Sequence, residues 1–281
     1  MFHMNMNGGG IPPMFMNQQN MPQKSEVNGI QVVILAGGKG KRMNSGPIPK
    51  VLCKVRGKEM LCHIVEQVSR IQCSDIFIVV NQESAGFIQH IMEKNKYIFL
   101  NKIKYILQRD VNGTGGALQC VLPHLDKNQS TLILNGDMPN VKAELLNEFL
   151  RKNMEEKSEM GIVTSIMEDA ENYGRIIREN ERSKEKAFKK IVEKKDCKNE
   201  EELNVKEINA GIYYFSNIVL HTYLPQLNNE NVSGEYYLTS IFDEIRKKED
   251  NEVLLYVIPE NMKYQILGVN TQEELLIAEK H

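Results

Sequence analysis

Apolar residues in this chain gather in short runs that alternate with amphipathic stretches, and the alternation predicts a fold class. QVVILA (Gln31 to Ala36) is a brief apolar run ending in glycines, the texture of a strand buried on both faces of a parallel sheet. Glu59 to Ile71 follows with helical spacing, placing Leu61, Ile64, Val65, Val68 and Ile71 on one face. DIFIVV (Asp75 to Val80) predicts a second strand, and Glu83 to Asn95, with Phe87, Ile88 and Ile91 apolar, a second helix. Lys102 to Gln108 and TLILNGD (Thr131 to Asp137) continue the strands; Thr114 to Leu122 and Lys142 to Arg151 continue the helices. Strand and helix in turn predict an α/β fold: a mostly parallel sheet with helices on both faces. Such sheets bind ligands beyond the carboxyl ends of their strands, so the residues just after each strand are expected to carry the chemistry.

The second half reads differently. Gly161 to Ile166, Gly174 to Arg178, Phe188 to Glu193 and Ile208 to Phe215 are strand-like with little helix between them, which predicts an antiparallel subregion. The stretch Glu181 to Glu207 is dense in both charge signs and reads as a solvated hairpin or loop. Tyr237 to Lys247 and Gln272 to Lys280 are expected to close the chain as helices. Residues 1–28, rich in Met, Asn, Gln, Gly and Pro and without periodicity, read as a low-complexity disordered tail ahead of one domain over 29–281.

Composition narrows the function classes. Thirty-five Lys and Arg against 37 Asp and Glu give a net charge of -2, so binding to nucleic acid by phosphate neutralisation is not expected. No apolar run approaches the ~20 residues that a membrane span needs, and the N-terminus lacks a charged-then-apolar signal pattern. The five cysteines are odd in number and form no C-x-x-C pair, so reduced thiols and a cytoplasmic location are expected. The scattered histidines suggest no histidine metal site.

Three strand ends carry candidate chemistry. The first runs into Gly37-Gly38-Lys39-Gly40-Lys41-Arg42, with Lys50 further on. Glycines there let backbone approach a phosphate, and the cations suit an anion; an ordinary glycine turn with solvated lysines is the plain alternative. Neither a Walker loop nor G-x-G-x-x-G is present. The third ends in Gln108, then Asn112-Gly113-Thr114-Gly115-Gly116. Gln offers a donor and an acceptor to a base edge, and the glycines leave room for a planar ring; otherwise this is a strand-to-helix turn with Thr114 as helix cap. The fourth ends in Asn135-Gly136-Asp137, a carboxylate placed to hold Mg²⁺ or, more simply, to cap a turn. Late in the chain Asn270 offers an amide oxygen, or a cap for the last helix. No nucleophile elbow occurs, so covalent catalysis has no support.

These segments, in this order, resemble the sugar-1-phosphate nucleotidylyltransferases. LAGGKGKRM with Pro49-Lys50-Val51-Leu52, then NGTGGA, NGDMP, NYGRIIREN, IVEKKD, EINAGIYYF, GEYYLTSIF and GVNTQEEL, are similar to the uridylyltransferase domain of the bacterial bifunctional enzyme that makes UDP-N-acetylglucosamine. The resemblance covers residues 30 to 281. It implies a Rossmann-like mixed sheet of the nucleotide-diphospho-sugar transferase type, with an antiparallel sugar side. It implies UTP and N-acetylglucosamine 1-phosphate as substrates, joined by Mg²⁺-assisted in-line transfer with loss of pyrophosphate. It places Leu35, Ala36, Gly37, Gly38, Gln108, Gly113 and Thr114 on the nucleotide, and Arg42 and Lys50 on the charge of transfer. Asp137 and Asn270 would hold Mg²⁺, and Gly174, Glu193, Asn209, Tyr237 and Thr239 the sugar. Departures from the pattern include Gly37 for alanine, Val111 where a second glutamine often stands, Ala210 for threonine and Ser240 for an acid. Since the chain stops after the last helix, the acetyltransferase half of that bacterial enzyme is not expected, and only uridylylation is.

Alternatives within the class use another sugar phosphate or base. A non-catalytic sugar-nucleotide sensor shares the fold, since fold alone never guarantees activity; retention of Arg42, Lys50, Asp137 and Asn270 argues against it. A cytidylyltransferase for a polyol phosphate would leave the sugar-side motifs without explanation.

Overall fold

A computed structural model describes residues 29–38, 40, 43, 46, 48–95, 100–179, 188–248 and 252–281. The expected tail at 1–28 and the expected catalytic Arg42, with Lys39 and Lys41, lie outside the described residues.

The elements run β1 (Ile30–Leu35), β2 (Lys54–Val55), β3 (Lys58–Glu59), α1 (Met60–Val68), β4 (Ile76–Asn81), α2 (Ala85–Lys94), β5 (Ile103–Gln108), α3 (Thr114–Val121), β6 (Ser130–Asn135) and α4 (Ala143–Glu155). They continue with β7 (Met160–Ile166), β8 (Arg175–Arg178), β9 (Phe188–Val192), α5 (Glu200–Leu203), β10 (Glu207–Ser216), α6 (Asn217–Tyr223), α7 (Ile241–Arg246), β11 (Leu254–Val257) and α8 (Gln272–Ala278). Most expected strands and helices are present within a few residues of their expected ends. The helix expected over Tyr237 to Lys247 is divided, a 3-10 turn at Leu238–Ser240 leading into α7. Within the charge-dense stretch, β9 is the expected strand and pairs with β8 as a hairpin, while the short α5 is regular where a hairpin or loop is expected. The alternation does not signal β11, α6 or the β2–β3 hairpin, whose turn residues Arg56 and Gly57 both have positive φ, the two-residue primed turn.

Nine strands form one mixed sheet, with β11-β7-β10-β6-β1-β4-β5 in line and β8 and β9 off β10. β6, β1, β4 and β5 are parallel neighbours. β10 is antiparallel to both β6 and β7, and β8–β9 is an antiparallel hairpin. Residues of β1 alternate between two cores. Val32 and Ile34 pack with α1, α2 and α4, while Val33 packs with α3, α6 and α7. Each such side chain removed from water contributes about 1.5–3 kcal/mol, which explains why these strands read as unbroken apolar runs. β1 is hydrogen-bonded to β4 on one side and β6 on the other, so the order in which strands are added reverses there while the strands stay parallel, the place where open sheets leave a crevice.

Candidate active site

At that reversal the carboxyl ends of β1 and β6 open into a cleft of about 650 Å³. Of the expected nucleotide residues, Leu35, Ala36, Gly37, Gly38, Gln108, Gly113 and Thr114 all line it, together with Lys50, Asp137, Glu193 and Tyr237. A smaller cavity of about 190 Å³ adjoins it, sharing Asn135 and Asp137 and adding Asn270.

The expected metal residues converge on one point. Lys50, at the start of a 3-10 turn, donates from Nζ to Asp137 Oδ2 at 2.5 Å and to Asn270 Oδ1 at 2.9 Å. Val269 N donates to Asp137 O at 2.9 Å, tying the segment before Asn270 to the end of β6. The alternative reading of Asn270 as a helix cap does not hold: Thr271 caps α8, in a reciprocal capping box with Glu274, and Glu274 accepts from the Asn270 backbone N–H. Two oxygens, one carboxylate and one amide, already directed at a single cation are a donor set that Mg²⁺ accepts, because it keeps most of its waters. Among the described residues no group of three or more His, Cys, Asp or Glu could hold a metal, so an ion here would rely on this pair and on ligands other than protein carboxylates.

The glycine loop is open on one side and tight on the other. A Cβ at Gly38 would meet nothing within 4 Å, whereas one at Gly37 would lie 3.1 Å from Gln108 Oε1. Gly40 has φ +57°, and a Cβ there would approach Lys50 Cβ to 2.7 Å, so this glycine lets the loop pack over the lysine. Gln108 is buried, and its Nε2 donates to Asn112 Oδ1 and Gly113 O, both at 3.1 Å.

The NGTGG glycines have a different reason from the one expected. Gly113 has φ +108°, and a Cβ there would sit 2.5 Å from Tyr236 O; one at Gly115 would sit 2.9 Å from the same oxygen. At Gly113 and Gly115 the space of a Cβ is taken by the strap Glu235–Tyr237, which crosses the start of α3, and at Gly116 by the Asn112 side chain. Tyr236 N donates to Asn112 O and Gly115 N to Tyr236 O, each at 2.7 Å. Thr114 is not the helix cap. Gly113 holds that position, and the Thr114 hydroxyl accepts from Leu238 N at 3.0 Å.

The expected sugar residues form a second wall. Glu193 follows β9 and accepts from the Thr239 hydroxyl at 2.9 Å. Burial pushes its carboxyl above the usual range, more than that hydrogen bond lowers it; Asp196 adds to the lift and Arg175 opposes it. Gly174 lets Glu193 close in, since a Cβ there would be 3.3 Å from Oε2. Burial also raises the hydroxyl of Tyr237. Asn209 lies deeper. Its Nδ2 donates to the Tyr213 hydroxyl at 2.7 Å and its Oδ1 accepts from Gly211 N at 3.1 Å, so its amide shapes the bulge in β10. Gly174, Asn209 and Thr239 back the cleft rather than line it.

The residue reading missed several neighbours. Asn135 lies between the two cavities, and its amide occupies the space a Cβ on Gly211 (φ +75°) would need. Glu235 also lines the larger cleft, as does Val111, which the resemblance places where a second glutamine often stands. Asn135 stood in a quoted motif beside Asp137; its placement at a strand's carboxyl end was the available signal.

The model of the MobA-like NTP transferase domain matches residues 32–174. The chain is 40% identical over 248 residues to the "Bifunctional protein GlmU" of Clostridium botulinum, covering 88% of this chain and 50% of that protein. It thus spans about half the length of that relative. It is 33% identical over 251 residues to the "Probable UDP-N-acetylglucosamine pyrophosphorylase" of Acanthamoeba polyphaga mimivirus, covering 88% of this chain and 93% of that one. Among solved structures, a candidate glucose-1-phosphate thymidylyltransferase of Bacillus anthracis, in complex with a sucrose, superposes with TM-score 0.67 at 19% identity, covering 89% of this chain and 94% of that one. At that identity the likeness speaks for the fold alone.

Proposed function

The chain belongs to the MobA-like NTP transferase family, and from that premise we propose that it joins UTP to N-acetylglucosamine 1-phosphate, giving UDP-N-acetylglucosamine and pyrophosphate. Nucleotidyl transfer is the family's chemistry; the choice of these two substrates is the finer reading. The names of the two relatives support it. The observation that carries it is one cleft in which Gln108, the Lys50–Asp137 pair and Glu193 face a common space.

A phosphate oxygen of the sugar phosphate attacks the α-phosphorus of UTP. The new P–O bond forms as the bond to the bridging oxygen breaks, and that electron pair leaves with pyrophosphate. The attacking phosphate is already anionic, so no general base is required. The obstacle is repulsion between two anions, which at ~4 Å amounts to several kcal/mol at intermediate dielectric. Lys50 supplies positive charge on the cleft wall, and the Gly37-Gly38 backbone lets phosphates come close. Arg42, in the same loop, is proposed as the second cation. Asp137 and Asn270 would hold Mg²⁺, which when bound neutralises phosphate charge. Gln108 reads the uracil edge. Glu193 accepts from sugar hydroxyls, with Thr239 fixing its second oxygen.

The test is pyrophosphate release from UTP, Mg²⁺ and N-acetylglucosamine 1-phosphate, followed by UTP, TTP, CTP and GTP against several sugar phosphates. Absence of release with the first pair alone corrects the substrates. Tight binding of a UDP-sugar without turnover of any pair would instead favour a sensor.

A further inference from the structure

Arg175, the first residue of β8, is 3% exposed, and among the described residues its hydrogen-bond partners are all backbone carbonyls. One guanidinium nitrogen donates to Ala170 O and Glu171 O, each at 3.2 Å, and to Tyr173 O; two others reach Leu203 O at 3.4 and 3.5 Å. Burying a cation is costly, and a strand residue facing a core gains more from an apolar side chain. Three of the four carbonyls it gathers belong to the turn Ala170–Tyr173, where Glu171 is held at φ +39°, a conformation that non-glycine residues adopt at a cost; the fourth, Leu203 O, ends α5.

That turn ends in two connections. Gly174 O accepts from Asn209 N at 2.8 Å, and the missing Cβ of Gly174 admits the Glu193 carboxylate. On the other side the Tyr173 hydroxyl accepts from Gly268 N at 3.1 Å, two residues before Asn270, whose amide oxygen binds Lys50. Tyr173 also lines the smaller cavity beside Asp137. One short turn therefore touches both the wall bearing Glu193 and the segment bearing Asn270.

We propose that Arg175 and Tyr173 are positioning residues that hold the acceptor end of the cleft in register with the Lys50–Asp137–Asn270 cluster. The inference rests on reading the cleft as a site for a sugar phosphate and a nucleotide. Arg175 fixes the turn and Tyr173 passes its position to residues 268–270. The rate then depends on both, because a displacement of about 1 Å at a reacting pair commonly costs ~100-fold.

The experiment compares Tyr173→Phe and Arg175→Lys with the wild type, using whichever substrate pair the wild type turns over best. Tyr173→Phe keeps the ring and removes one hydrogen bond. It should lower kcat roughly tenfold, leaving both KM values within about twofold and the melting temperature unchanged. Arg175→Lys keeps the charge but loses the planar fork. It should raise the KM for the sugar phosphate at least about fivefold and leave that for the nucleotide within about twofold. Kinetics equal to wild type in Tyr173→Phe would overturn the proposal, as would both KM values rising together with a fall in melting temperature. A wild type preferring another sugar phosphate corrects the substrate assignment and leaves this test intact. No turnover of any pair overturns both. If Arg175→Lys does not fold, Tyr173→Phe decides.

Discussion

Lys50 Nζ lies 2.5 Å from Asp137 Oδ2, across 87 residues of sequence. The two side chains are 13% and 18% exposed, so the pair is shielded but opens to the cleft. A phosphate would compete with Asp137 for the ammonium, and a divalent ion would compete with the ammonium for the Asp137 and Asn270 oxygens. Lys50→Met should lower turnover by ~100-fold or more, the usual cost of removing a group that stabilises developing charge. Steady-state rates with pyrophosphate detection measure this. A variant within a few-fold of wild type would remove Lys50 from the catalytic set.

The Asp137–Asn270 pair makes a separate claim about metal. Chelation with EDTA should abolish turnover, and added Mg²⁺ should restore it. In Asp137→Asn the carboxylate charge is lost while the shape is kept. Mn²⁺ binding, followed by electron paramagnetic resonance in the presence of nucleotide, should weaken at least about tenfold. Unchanged Mn²⁺ affinity would place the ion elsewhere.

Two glycines should respond in opposite ways to alanine. At Gly113 the new Cβ meets backbone 2.5 Å away, and φ is +108°. Backbone cannot swing aside like a flexible side chain, so Gly113→Ala should cost about 1–3 kcal/mol and lower the melting temperature by several degrees. At Gly38 nothing lies within 4 Å of the added Cβ. Gly38→Ala should melt like the wild type and raise the KM for the nucleotide, because the methyl stands in the cleft. Equal melting of both variants would contradict the crossing of the strap over α3.

Glu193 links stability to pH. Burial lifts its carboxyl above the ordinary range, so between the unfolded and folded values the native state holds the extra proton. The associated stability is fully present below the unfolded value and is lost as pH rises through the folded one. Glu193→Gln removes that loss. The melting temperature of the variant relative to wild type should therefore be more favourable near about pH 8 than near about pH 4, while the KM for the sugar phosphate rises. A constant difference across that range would show that the carboxyl is not held up by burial.

Much of the fold was legible because its central strands are buried on both faces. Apolar runs such as Ile76–Asn81 can hardly be read otherwise, and the helices between them keep one apolar stripe. The insertion of β10 between β6 and β7 was not legible, since strand order depends on contacts far apart in sequence. Edge strand β11 is half-buried and short, without the pattern of a core strand. The site divides similarly. Glycines and a carboxylate after strands announced a binding edge, but Lys50 and Asn270 are 220 residues apart, and only the resemblance linked them. The need for glycine at positions 113 and 115 was not legible, because the strap that takes the space of their missing Cβ comes more than a hundred positions later. Arg175 stood inside the NYGRIIREN motif, but its role was not legible, because nothing in the sequence shows the carbonyls that gather around it.

β6, which leads into Asp137, and β10, which begins beside Asn209, are hydrogen-bonded neighbours through five consecutive residue pairs from Ile212↔Leu134 to Ser216↔Ser130. The strand leading to Asp137 and the strand bearing Asn209 are thus joined in one continuous ladder beneath the cleft. The strap at Glu235–Tyr237 and the turn before β8 lie outside that ladder, at the rim of the cleft. Efforts to redirect acceptor choice belong there, since altering the floor would unzip the middle of the molecule.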